Sequence, residues 1–175
     1  MFYEIRPIRI EDAEDINALR RMPGVYENIL GLPSERIQRN VEYIQSNPSN
    51  LHQFVAVVKE GESEKVVGTA GLSVNPNHRL RHSGFIGIMV HKDYHGNGIG
   101  RALMEALIDV ADNWLMLVRL ELTVFTDNER AVKLYEKCGF EKEGVRRCAA
   151  IRSGAYTDDF IMSRIHPNYR TGVSN

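Results

Sequence analysis

The stretch from Ile88 to Met104 limits what this chain can become more than any other. Apolar Ile88, Met89 and Val90 pass into Tyr94, His95, Gly96, Asn97, Gly98, Ile99, Gly100 and Arg101, and from there into an apolar repeat at helical spacing. A strand that runs through a glycine-rich turn straight into an amphipathic helix builds an anion pocket. Gly96, Gly98 and Gly100 can take positive φ and bring backbone N–H groups close to a ligand, with the unpaired donors and positive dipole end of the helix just behind them. A pyrophosphate is the natural guest. Two familiar phosphate motifs do not fit. The dinucleotide pattern G-x-G-x-x-G would need glycine at 101, where Arg101 stands, and the nucleotide P-loop would need Lys and Ser or Thr after its last glycine.

A second segment, Asn128 to Phe140, follows the apolar strand Val118 to Phe125. Asn128 is a good helix N-cap, Glu129 sits at the positive end and pairs with Lys133 four residues on, and Gly139 ends the helix. Asn128 and Tyr135 stand seven residues apart, nearly two turns, so they share one face and can address one ligand.

Together these segments resemble the signature of the GNAT superfamily of N-acetyltransferases. The loop is similar to Q/R-x-x-G-x-G/A with His95 in place of the usual Gln or Arg, and Asn128, Ala131, Leu134, Tyr135, Gly139 and Phe140 match N-x-x-A-x-x-L-Y-x-x-x-G-F position by position. The likeness extends over about residues 3 to 165. It is nearest to bacterial L-amino-acid N-acetyltransferases of the phenylalanine/methionine type, through Pro23 to Tyr26, Asp112 to Leu115, Arg119 to Phe125 and Gly154 to Asp158.

The resemblance implies acetyl-CoA as cosubstrate and no metal. Its binding would fall to Ile88, Met89 and Val90, to Tyr94, His95, Gly96, Asn97, Gly98, Ile99, Gly100 and Arg101, and to Asn128 and Tyr135. In the family Tyr135 would place its hydroxyl near the thioester sulfur as an acid, backbone N–H near Met89 or Val90 would serve the oxyanion, and Asn128 would bond the pantetheine region. Many relatives carry a carboxylate on the strand before the glycine loop; Phe85, Ile86, Ile88 and Met89 occupy it here. Glu121, on the neighbouring strand, is the next candidate base, with an ion pair or an exposed strand face as its equal alternative and a water relay as a third. Substrate contacts are expected from Tyr26, Asn28 and Leu30 after the first helix and from Tyr156, Asp158 and Asp159 in the last hairpin. An aromatic and apolar linker favours a small substrate with an apolar side chain, and the subfamily resemblance implies a free L-amino acid. A polyamine, a protein N-terminus or lysine, and a non-catalytic acyl-CoA-binding module are the rivals.

With 175 residues and 43% hydrophobic content, the expectation is one domain over residues 3–165 and a carboxy-terminal tail over 166–175 that frays. Lys and Arg number 22 against 23 Asp and Glu, which gives no general attraction for nucleic acid or an anionic membrane. Cys138 and Cys148 match neither a zinc site nor a redox pair. No apolar run approaches the ~18 residues of a spanning helix, so a cytoplasmic protein is expected. A small-molecule amine is the expected partner, and a homodimer stays open.

The order of elements argues α+β, and the resemblance adds a mixed central sheet of about seven strands with flanking helices and a splayed parallel pair. A first strand is expected over Tyr3 to Ile10, then a helix facing inward with Ile16 and Leu19. Ser34 is expected to open a second helix with the stripe Ile37, Val41 and Ile44, ending near Asn47. Strands are expected over Phe54 to Val58, Val66 to Val74 and His82 to Val90, the first two joined by a charged turn over residues 60–64. Ile99, Leu103, Ala106, Leu107, Val110 and Trp114 then recur as on a helix covering a sheet. Two carboxy-terminal strands follow Gly139.

Overall fold

The structure, a computed structural model, describes residues 1–46, 48–61 and 63–169. Asn47, part of the 60–64 turn at Glu62 and most of the tail expected to fray lie outside the described residues. Seven strands form one sheet in the order β1-β2-β3-β4-β5-β7-β6. They are β1 (Glu4–Pro7), β2 (Leu51–Glu60), β3 (Ser63–Val74), β4 (Ser83–Val90), β5 (Arg119–Phe125), β6 (Glu141–Arg152) and β7 (Ala155–Ile165). Neighbours pair antiparallel except β4 with β5.

Period-two alternation decides which helix meets which face. Ala56 and Val58 of β2 join the cluster under α3 (Ile99–Asp109) and α4 (Glu129–Lys137). Val55 and Val57 point the other way, to Ile16 and Leu19 of α1 (Ala13–Arg20). In β5, Leu120, Leu122 and Val124 belong to the α3 and α4 side with Ile99, Leu103 and Leu107. Each fully buried leucine there contributes about 1.5–3 kcal/mol relative to exposure. Glu121, Thr123 and Phe125 therefore occupy the opposite face, and through the β5–β7 register so do Ser163, Ile161 and Asp159.

Three expectations shift. The first strand is shorter, because the chain turns into a 3-10 segment at Ile10–Asp12, where Asp12 takes both Arg6 nitrogens at 2.8 and 2.9 Å. The second helix, α2 (Ile37–Ser46), begins after the turn in which Glu35 N–H bonds Leu32 O, and Glu35 is held by Arg20 at 2.5 and 3.1 Å. Its buried residue is Asn40, while Ile37 is exposed. Trp114 is 77% exposed rather than on the covering face. A π-helical turn, Val110–Trp114, follows α3; its wider winding rotates the indole away from the sheet, where Nε1 meets Asp109 at 3.3 Å.

The parallel pair is short. Ser83, Gly84 and Phe85 match Arg119, Leu120 and Glu121, after which β4 pairs with β3 and β5 with β7. The expected splay is present, and a cleft opens between the parted strands.

Candidate active site

The cleft has a volume of about 1190 Å³, room for a ligand larger than most small metabolites. Its deep wall is β4 from Phe85 to Val90, and facing it are Thr123, Val124 and Phe125 of β5. The glycine loop closes one end, and Arg20 of α1 with Gly24, Val25 and Asn28 the other. The opening at the loop end is cationic, with Arg101, Arg130, Lys133 and Lys137 along it.

The loop takes the left-handed backbone its sequence implied at two of its three glycines. Gly96 and Gly98 have φ of 80° and 83°, the left-handed region that favours glycine. Gly98 is the N-cap of α3, its carbonyl taking Ala102 N–H at 3.0 Å, so the first-turn N–H groups are presented to the cleft. Gly100 has another task, since a Cβ there would lie 3.1 Å from Leu134; its smallness lets α3 and α4 pack closely. Asn97 braces the loop by donating to the Tyr94 and His95 carbonyls at 3.2 and 3.3 Å, and it is absent from the lining.

His95 shows what the departure from Gln or Arg does. Its Nε2 lies 3.0 Å from Val90 O; a carbonyl only accepts, so this nitrogen carries the proton and donates. Burial holds the imidazole below its ordinary pKa against the pull of that bond, so the side chain is neutral near pH 7. It ties the loop to the end of β4 instead of adding a charge.

Asn128 caps α4, its Oδ1 accepting Ala131 N–H at 3.2 Å. Tyr135 lines the cleft seven residues later, is 6% exposed, and packs its ring 6.2 Å from Phe140. Burial first, and the Cys138 thiol second, raise its phenol well above the usual value. The hydroxyl therefore stays protonated, with its O–H kept as a donor.

Among the other anticipated residues, Ile88, Met89, Val90, Tyr94, Ile99 and Arg101 line the cleft, as do Asn28 and Leu30. Tyr26, Tyr156, Asp158 and Glu121 do not. Glu121 sits at the last position of β5 paired with β4, bonded to Arg119, which also holds Glu143 at 2.5 and 2.8 Å. The ion-pair alternative describes its surroundings. Asp158 accepts Cys148 N–H at 2.8 Å inside a bulge between Arg146 and Ala150, and Tyr156 is exposed. Sequence reasoning missed Arg146, Phe85, Phe125 and the glycine pair Gly71 and Gly87, which face each other across β3 and β4. Period-two alternation from Phe85 could have found Gly87; Arg146 needed the register of a bulged strand.

An anion cradle that leads onto a strand edge without a partner suits a long thioester with a phosphate-bearing head, and the class so defined is the acetyl-CoA-dependent N-acetyltransferases. Residues 19–140 match the model of the Acetyltransferase (GNAT) family, and the chain belongs to that family. It is 37% identical to an L-amino acid N-acetyltransferase of Escherichia coli over 92% of this chain and 96% of the relative. A GNAT acetyltransferase of Streptococcus pneumoniae superposes with TM-score 0.77 at 27% identity, covering 94% of this chain and 99% of that one. A spermidine N-acetyltransferase of Vibrio cholerae, solved with CoA and spermine, shares the fold at TM-score 0.80 and 24% identity over 94% and 95% of the two chains. The chain is thus an acyltransferase that uses acetyl-CoA. No group of metal-ligating side chains occurs among the described residues, and none of their helices is long and apolar enough to cross a membrane.

Proposed function

We propose that the chain acetylates the α-amine of a free L-amino acid with an apolar side chain. The observation that carries this reading is the acceptor half of the cleft, where Ile29, Leu30, Phe85 and Phe125 offer walls that a hydrocarbon or aromatic side chain would fill. Desolvating one such side chain contributes on the order of 1.5–3 kcal/mol, enough to prefer it over glycine by tenfold or more. The activity named for the Escherichia coli relative supports the same choice.

Acetyl-CoA supplies an acetyl group already activated as a thioester, and the chain's residues do the rest. Backbone donors of the Gly96 to Arg101 turn receive the pyrophosphate, and the parted edge of β4 at Ile88 to Val90 receives the pantetheine arm as it would an added strand. A backbone N–H near Met89 or Val90 donates to the carbonyl oxygen as charge develops there. Asn128 steadies the arm, and Tyr135 gives its proton to the departing sulfur. Glu121 is already engaged by Arg119, which favours water as the route by which the amine loses its proton to bulk.

Free-thiol release with acetyl-CoA and a panel of phenylalanine, methionine, glycine, spermidine and a peptide with a free N-terminus tests the reading. Phenylalanine or methionine should lead, with kcat/KM at least about tenfold above glycine. Spermidine or the peptide leading by a wide margin would overturn the amino-acid assignment and leave the acetyltransferase standing.

A further inference from the structure

A free amino acid differs from a polyamine or an internal lysine in carrying a carboxylate beside the amine, and the cleft treats charge accordingly. Among the described residues its lining carboxylates are Glu129 and Asp159. Glu129 belongs to the first turn of α4, beside Lys133 at 3.6 Å, on the side of the anion cradle. Asp159 alone stands in the acceptor half, and it is already taken. It is 4% exposed, and Arg146 grips it from the neighbouring strand, Nε to Oδ1 at 2.8 Å and Nη2 to Oδ2 at 2.5 Å.

The register explains how the pair reaches the site. Asp159 lies between Arg146 on β6 and Phe125 on β5, so all three side chains share the face that Phe85 presents across the splay. The arginine side chain is 51% exposed although its partner is buried. A guanidinium has five N–H donors; two are spent on Asp159, and those of Nη1 have no protein partner among the described residues. Directly after Arg146 the strand bulges, and Ala149 and Ala150 leave small residues at the cleft wall. The result is a guanidinium held in place on the cleft lining with its Nη1 donors unspent, a group suited to a carboxylate.

We propose that Arg146 binds the α-carboxylate of the acceptor amino acid and that Asp159, which touches no substrate, is the positioning residue that holds the guanidinium in place. This rests on the free-amino-acid reading above. The pair selects by chemistry: an acceptor with a carboxylate gains a charge-assisted fork, whereas a polycation meets an arginine and finds the nearby aspartate occupied. The side chain of the amino acid would then lie over Gly71 and Gly87, where an added Cβ at Gly87 would meet nothing within 4 Å.

The test compares phenylalanine with phenylalaninamide, which has the same amine and side chain and no carboxylate. In the unaltered protein kcat/KM for phenylalanine should exceed that for the amide by roughly 10- to 100-fold, the range of one charge-assisted fork. Arg146→Gln should bring the ratio down toward one, mainly through KM, and Arg146→Lys should restore only part of it. Asp159→Asn should lower the ratio less than Arg146→Gln does. Because Arg146→Gln leaves a buried carboxylate alone, the double variant Arg146→Gln with Asp159→Asn is measured beside it, with a thermal melt of each. If the unaltered protein turns over phenylalanine but Arg146→Gln and the double variant both keep its preference over the amide, the assignment of Arg146 is overturned and the amino-acid reading survives. If no free amino acid is turned over while spermidine or a peptide is, both fall together.

Discussion

Tyr135 and Gly98 are the positions where the proposed reaction rests on single atoms, and they should fail in different ways when changed. Tyr135 has a hydroxyl kept protonated by burial, so Tyr135→Phe removes a proton donor while keeping the ring packed against Phe140. Its kcat should fall by roughly 10- to 10,000-fold with a smaller change in acetyl-CoA affinity; undiminished turnover would reduce Tyr135 to packing. Gly98 has φ of 83°, and a Cβ there would come 3.3 Å from the Tyr3 hydroxyl. Gly98→Val should therefore distort the cradle at a cost of about 1–3 kcal/mol and weaken CoA binding by calorimetry in a protein that still melts cooperatively; unchanged affinity would remove the loop from the binding site. The placement of both residues was legible in the sequence because it is local. A glycine at a turn and a tyrosine one helix face from its N-cap are set by neighbours within seven positions.

At the scale of elements, legibility drops where the answer depends on pairing across the sheet. The sequence placed Asp158 and Asp159 side by side in the last hairpin, but a strand turns adjacent residues to opposite faces. Only the match of Asp159 to Phe125 and Arg146 shows which one reaches the cleft. Glu121 is a more local case, since its partner Arg119 stands two residues away on the same strand, and only the second carboxylate on that arginine, Glu143, arrives from β6. Trp114 failed for a different reason, a π turn that breaks the helical period its assignment assumed. Alternation also yields a prediction at Gly87, which shares its face with Phe85 and Met89 and lies where β4 has left β5. Its backbone is ordinary strand, and a side chain there would enter open space. Gly87→Leu should fold normally and raise KM for phenylalanine by about tenfold or more, with less effect on alanine as acceptor. An equal loss for both amino acids would place Gly87 outside the side-chain pocket.

Across the whole molecule, arginine–carboxylate pairs tie distant segments together, and they set how the fold responds to acid. Glu143 of β6 reaches Arg119 of β5 and Ser163 of β7, and these bonds lower its pKa from 4.5 to about 2. Arg152 on β6 lowers that of Asp127, in the turn after β5. Glu35, ahead of α2, is raised by its burial but lowered overall by Arg20 on α1. A carboxylate with a lower pKa in the folded state than in the unfolded one binds fewer protons when folded, so stability rises with pH through the interval between the two values. For Glu143 the contribution is complete above about 4.5 and is lost as the pH falls toward about 2. The side chain is partly open to water, so the effect is screened and modest. Urea midpoints measured from pH 6 down to pH 2 should fall in the unaltered protein and fall less steeply between about pH 4.5 and 2 in Glu143→Gln. Arg119→Gln should flatten the same interval, because it removes the donor that lowers the carboxylate. Parallel curves for all three proteins would mean that the β5–β6 pair contributes nothing to acid stability.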